Sequence, residues 1–310
     1  MACLQTLVLG GGEFVGRYIV QELLAADHHV TVLNHGHSPL VPGAHRLIGD
    51  RFTTDGLGVL VGTEWDMVVD VSGYLRRQVA AVLASVTVRR RYLFVSSHAV
   101  YTLADVGPGA NEDCPRRAPI DDPPWPLDND TYGPAKVSCE NALNDQLGNR
   151  STVVRPGKVA GPHDNQPSLG HWVRAVLAGE LIAVPDPKQP VQLVDVRDLA
   201  VLVRRLLDDD RPGAFQAVGQ PLTIAAVLAE CARGLGLDPD AVRLTAGDAS
   251  ASYPLLQADR PWSVRQRSNA RAVAAGMPLT PLAVTVRDWW RSVPRDTTNA
   301  TIRRAPHPQL

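Results

Sequence analysis

The chain opens on a short apolar run, Leu4 to Leu9, followed by three glycines, an amphipathic stretch from Phe14 to Ala26 and a second apolar run, Val30 to Leu33. Two runs of strand length on either side of a glycine turn and a helical period predict a β-α-β unit. The alternation continues with a strand near Arg46 to Ile48, a helix before Gly62, a strand at Met67 to Val71, a helix near Gln78 to Val88 and a strand at Tyr92 to Val95. Strands this apolar, separated by helices, predict a parallel sheet buried on both faces.

Residues 105 to 130 break the rhythm with many Pro and Asp residues and predict an irregular loop ending just before a helix at Tyr132. That position makes the loop a candidate active-site wall. A further strand is expected at Thr152 to Arg155, after which Pro156, Gly157, Gly161, Pro162 and Pro167 interrupt the chain. Shorter elements follow, with helices expected at Leu169 to Ala178, Val196 to Leu207, Leu222 to Gly234 and Pro281 to Trp290.

Composition narrows the function classes. With 310 residues, 45% hydrophobic content and a net charge of −1, the chain can bury a large core but carries no field to hold nucleic acid or an anionic membrane. Its basic triplet, Arg89 to Arg91, reads as a solvated helix end. The cysteines Cys3, Cys114, Cys139 and Cys231 lack zinc spacing and read as reduced thiols, with no metal site expected. No export signal or membrane-length run is visible, so the expected compartment is the cytoplasm and Asn299-Ala300-Thr301 is an unused glycosylation sequon. Arginine far in excess of lysine, with abundant alanine, hints at a GC-rich bacterial genome.

The glycine turn carries the first chemistry. A dinucleotide needs close backbone approach to its pyrophosphate, free amides at a helix N-terminus, and tight packing of that helix on the first strand. Gly10, Gly11, Gly12 and Gly16 can supply these, although a tight turn alone also calls for glycine. An acid at the end of the second strand would accept the ribose hydroxyls of NAD, but Asn34-His35-Gly36-His37 stands there, while Glu13 puts a carboxylate inside the turn. The expected cofactor is NADP or NAD, with NADP favoured. Asp50 can meet the adenine edge or cap a helix.

The second chemistry lies in Ser97, Tyr132 and Lys136. Tyrosine and lysine four apart share a helix face, so an ammonium beside the phenol can lower its pKa from about 10 and let it exchange a proton with an alcohol or carbonyl. The bland alternatives are a strand cap for Ser97, a core ring for Tyr132 and a solvated helix residue for Lys136.

Gly-Gly-Gly-Glu-Phe-Val-Gly at 10 to 16, Val-Ser-Ser-His-Ala-Val-Tyr at 95 to 101, Tyr132 with Lys136, Arg155-Pro156-Gly157 and Val194 to Leu199 together resemble the extended short-chain dehydrogenase/reductase family. The resemblance runs to about Trp290. It lies nearest the bacterial branch labelled NAD-dependent epimerase/dehydratase, which is also similar to chloroplast stem-loop RNA-binding proteins. It implies an α/β fold, a Rossmann-type doubly wound parallel sheet with a smaller, mixed C-terminal substrate lobe. Residues 1–155 would form the dinucleotide-binding domain, with 190–220 returning to it, residues 156–189 and 221–294 the substrate lobe, and 295–310 a flexible tail.

The resemblance also implies roles. Tyr132 would be the acid/base, Lys136 would hold the nicotinamide ribose and depress the phenol's pKa, and Ser97 would hydrogen-bond the reacting oxygen. Cofactor contacts would come from Gly10, Gly12, Glu13, Phe14, Val15 and Gly16 in the turn, then from Asn34, His35, Asp50 and Arg51. Further contacts would come from Val71, Ser72, Gly73 and Ser96, with Pro156 and Gly157 bordering the nicotinamide. Tyr74, His98, His163, Asn165 and Trp172 are candidate substrate residues. A small-molecule partner is expected, and a homodimer through the helices near 78–88 and 132–147.

Two departures matter. Glu13 replaces the middle glycine of the family turn. His98-Ala99 stands where sugar dehydratases of the family carry an Asp-Glu pair and some epimerases a cysteine, leaving His98 as the one titratable group there. The expected function is therefore NAD(P)-dependent reduction of a ketone on a small polar, sugar-like or natural-product metabolite. The alternatives are an NDP-sugar epimerase or dehydratase with tightly bound NAD, and a non-catalytic module binding dinucleotide or RNA.

Overall fold

The computed structural model describes residues 3–53, 55–104, 106–247, 254–256 and 261–294. The tail expected at 295–310 lies outside them. The first half alternates as the hydrophobic pattern requires: β1 (Gln5–Leu9), α1 (Phe14–Ala25), β2 (His29–Asn34), β3 (His45–Ile48), β4 (Thr63–Asp70), α2 (Arg76–Ser85), β5 (Val86–Val95), α3 (Tyr132–Leu147) and β6 (Ser151–Pro156). The second half holds β7 (Lys158–Ala160), α4 (Pro167–Ala178), β8 (Ile182–Val184), β9 (Pro190–Asp195), α5 (Val196–Asp208), β10 (Gly213–Ala217), β11 (Pro221–Thr223), α6 (Ile224–Leu235), β12 (Leu244–Ala246), α7 (Ala270–Ala274) and α8 (Leu282–Ser292).

A seven-stranded sheet runs β3-β2-β1-β4-β5-β6-β10, every pair parallel. Successive β1 residues leave opposite faces: Val8 joins Ile19, Val20, Leu199, Leu202 and Val203 on one side, whereas Leu7 and Leu9 join Val79, Tyr92, Phe94 and Leu143 on the other. With both faces covered, the strand is apolar throughout instead of alternating. The strand order reverses at β1, which has β2 on one side and β4 on the other, so the loops beyond their carboxyl ends diverge and leave a crevice.

Several expectations need revision. The helix expected over Gln78 to Val88 ends at Ser85, because Val86, Thr87 and Val88 start a strand in which buried and exposed residues alternate. Arg89 to Arg91 therefore lie in β5, not on a solvated helix end. Arg91 is buried, its Nε donating to Asp210 Oδ1 at 2.8 Å and its Nη1 to Thr152 Oγ1 at 3.1 Å. Leu222 falls in β11, one short strand before α6.

The division into lobes also shifts. β9, expected to return to the first domain, pairs with β7 and β11 in a separate three-stranded sheet. The return begins at α5, whose start is capped by Asp195 accepting from the Arg197 amide and whose buried leucines pack near α1. Ala272, Ala275 and Met277, expected in the substrate lobe, belong to the first domain's core. The smaller lobe packs α4, α6 and α8 around Trp172, Leu228 and Trp289.

Candidate active site

The glycine turn is built by close approach. A Cβ at Gly16 would lie 2.3 Å from the Gly10 carbonyl oxygen, one at Gly10 2.8 Å from Ser72 Cβ, and one at Gly12 2.7 Å from Ser38 Cβ. Gly10 has φ +92°, which glycine adopts without strain. α1 starts at Phe14, so its first amides lack partners within the helix. This cradle, which any side chain would fill, fits a pyrophosphate.

Beneath it lies a buried pair. Asp70, at the end of β4, accepts from Arg51 Nη2 at 2.9 Å and from the Tyr92 hydroxyl at 2.8 Å, and Arg51 Nη1 also reaches Ser72 Oγ at 3.0 Å. Burial, the largest influence, pushes the Asp70 carboxyl up, yet Arg51 outweighs it and holds the group below its usual range. Arg51 thus turns inward and braces the loop after β4, with its guanidinium facing Asp70 and Ser72 instead of the open crevice. Asp50 Oδ1 accepts from the Phe52 amide at 2.8 Å and lies 3.4 Å from His35 Nε2. Asn34 Oδ1 accepts from the Gly36 amide at 2.9 Å.

The second group of residues meets where β5 and α3 adjoin. The Asp128 carboxylate accepts from the Thr131 amide and hydroxyl, setting the turn from which α3 begins. Pro134 falls in the first turn, where its missing amide hydrogen costs no helical bond. Ser97 Oγ accepts from the Ala99 amide at 3.1 Å, and Ser97 lines the same cavity as Tyr132. Lys136 is buried and donates to the carbonyls of Gly73 at 2.8 Å and Val95 at 2.9 Å, with the Phe94 ring 4.2 Å away.

The electrostatics differ from the expected phenol tuning. Burial, reinforced by nearby Tyr74, raises the Tyr132 pKa despite the opposing influence of the Ser97 hydroxyl, and Lys136 is not among the groups that move it. The lysine itself is pushed down to about 8, chiefly by burial. Its ammonium is engaged by two backbone carbonyls that tie α3 to the ends of β4 and β5.

A cavity of about 330 Å³ opens over these groups. Phe14, Val15, Val71, Pro156 and Gly157 line it, as do Ser97, His98, Tyr132, Lys136 and Tyr74. The irregular loop contributes Arg117 and Asn129, as its position suggested. Ser96 also lines the cavity, and its Oγ has no hydrogen-bond partner among the described residues.

Three candidate substrate residues lie elsewhere. The His163 ring meets the Tyr18 hydroxyl at 3.0 Å and its amide donates to Ser292, so the residue joins α1 to α8. Asn165 is exposed outside the cavity lining. Trp172 is buried in the smaller lobe's core and donates to the Pro254 carbonyl at 2.9 Å. Conversely, Lys158, Arg265 and Arg267 line the cavity and were not anticipated. Lys158, one of few lysines and two residues past Pro156, carried a local signal; the two arginines arrive from far along the chain and carried none.

Among the described residues no cluster of potential metal ligands occurs, and no helix is long and apolar enough to cross a membrane.

The chain belongs to the NAD dependent epimerase/dehydratase family, whose sequence model matches residues 63–218. It is 26% identical over 257 residues to the chloroplast stem-loop binding protein of 41 kDa b from Arabidopsis thaliana, covering 76% of this chain and 65% of that protein. The chain therefore spans just under two thirds of that relative's length. Solved structures share the fold. The Bordetella bronchiseptica enzyme WbmH in complex with NAD+ superposes with a TM-score of 0.68, at 18% identity over 93% of this chain and 98% of that one. The UDP-glucose 4-epimerase of Thermus thermophilus in complex with NAD gives 0.66, with 18% identity over 93% of this chain and 99% of that one. A UDP-glucuronic acid 4-epimerase variant from Bacillus cereus, in complex with a fluorinated UDP-glucuronic acid and NAD, also gives 0.66, with 15% identity over 93% and 98%.

Proposed function

We propose that this chain is a nicotinamide-dependent sugar-nucleotide epimerase, which oxidises one carbinol carbon of an anionic substrate and reduces the same carbon from its other face. The observation that carries this reading is the cavity itself. Ser97 and Tyr132 line it together with Arg117, Lys158, Arg265 and Arg267, and no Asp or Glu among the described residues does. Such a setting suits a substrate that brings its own negative charge, as a sugar diphosphate does.

The bound dinucleotide would supply reversible hydride transfer. The glycine cradle and the first amides of α1 would hold its pyrophosphate, and Val71, Pro156 and Gly157 would border its nicotinamide end. Tyr132 moves the proton at the reacting oxygen, and Ser97 hydrogen-bonds the same oxygen. Lys136 keeps α3 in register with β4 and β5, and so fixes the phenol over the cavity.

The lack of an acid at His98-Ala99 argues against elimination, which needs a second proton donor. Inversion at a carbinol does not need one, because a single phenol can take the proton and return it after the ketone turns over. A plain reductase needs only one phenol too; the cationic cavity border and the likeness to NAD-bound sugar-nucleotide epimerases favour the epimerase over the reductase expected from sequence. A stem-loop-binding role, suggested by the name of the Arabidopsis relative, is disfavoured by the net charge of −1 and by the place of the cationic groups in the cavity lining.

The test is turnover of UDP-glucose and UDP-glucuronic acid without added nicotinamide, followed by NMR of the sugar ring. Formation of the epimer supports the proposal. Stoichiometric consumption of reduced nicotinamide with a ketone, and no epimer, would favour the reductase.

A further inference from the structure

We propose that Glu13 selects the cofactor, taking the place of the acid missing from the end of β2, so that the chain binds NAD in preference to NADP. The inference rests on the dinucleotide reading of the glycine cradle and reverses the preference suggested by Asn34 alone.

Glu13 occupies the N-cap position of α1 but its side chain makes no capping bond to that helix. Instead its Oε1 accepts from Ser38 Oγ at 3.1 Å, which carries the carboxylate across to the loop after β2. The two segments touch at Gly12, where an added Cβ would meet Ser38 Cβ at 2.7 Å and Asn34 Nδ2 at 3.1 Å. Asn34 cannot itself supply the acid: its Oδ1 is occupied by the Gly36 amide, and its buried Nδ2 has no hydrogen-bond partner among the described residues. Glu13 therefore brings a carboxylate to the loop beyond β2 that β2 itself does not supply.

The cations nearby do not offset it. Arg46 Nη2 donates to the Ser38 carbonyl at 2.7 Å and Nη1 to that of Gly36 at 3.5 Å, so its guanidinium braces the loop from behind. His35 faces Asp50 at 3.4 Å, and His37 is exposed. A ribose hydroxyl arriving at this edge can donate to Glu13, whereas a 2′-phosphate would meet a carboxylate without a committed counter-ion.

The test is calorimetric titration of the full chain, freed of bound nucleotide, with NADH and NADPH. The expected result is binding of NADH at least ~10-fold tighter than NADPH, since one hydrogen bond to a charged group is worth about that much. Glu13→Gln should narrow the ratio and Glu13→Lys should invert it, with circular dichroism confirming that both exposed-site variants fold. Equal or tighter NADPH binding by the wild type, or a ratio unchanged in Glu13→Lys, overturns the proposal. Failure of both dinucleotides to bind overturns the cofactor reading beneath it as well.

Discussion

Ser97, just beyond the end of β5, and Tyr132, at the start of α3, line the same cavity. Each partner is set by a local contact, Ser97 by its bond to the Ala99 amide and Tyr132 by the Asp128 turn that starts its helix. Lys136 then ties that helix to the sheet through Gly73 and Val95, which brings the two together.

Lys136 should leave a signature in stability against pH. Its folded pKa of about 8 lies below the ordinary 10.5, so the unfolded chain binds more protons between those values and stability rises with pH across that window. Below pH 8 the buried ammonium costs about 3 kcal/mol, a penalty relieved as pH approaches 10.5. Lys136→Met removes this dependence. Urea midpoints for both proteins at pH 7 and pH 10 should show the wild type gaining relative to the variant at the higher pH.

Gly16→Ala tests the cradle. The new methyl group would lie 2.3 Å from the Gly10 carbonyl oxygen, so the turn must open. Dinucleotide affinity should fall at least ~10-fold, and the added strain should cost about 1–3 kcal/mol. Calorimetry and thermal unfolding read the two effects separately.

Lys158→Met tests the cationic border. Lys158 donates to Gln166 at the cavity wall, and burial lowers its pKa. Loss of its charge should raise KM for a sugar nucleotide about 10-fold while changing kcat little, because Lys158 is not one of the groups assigned to the proton transfer. Steady-state kinetics provides the check.

The first β-α-β unit was legible because its signals are local: an apolar run buried on both faces, glycines where backbone crosses backbone, and a helical period. The readings that failed depended on distant partners. Arg91 looked solvated until Asp210 and Thr152 enclosed it. His163 looked close to the substrate because it follows a glycine-proline turn, and Trp172 because an aromatic ring can line a pocket, yet Tyr18, Ser292 and Pro254 draw them away. The spacing of Tyr132 and Lys136 put them on one helix, but it could not reveal that two carbonyls from other segments would take the ammonium.

Tyr132→Phe tests the central claim most directly. The ring keeps its packing and only the hydroxyl is lost, so dinucleotide affinity should stay within about twofold while kcat falls by ~100-fold to ~10,000-fold, the range for loss of a positioned acid/base. Epimerisation of a verified sugar nucleotide at near wild-type rate by this variant would contradict the account.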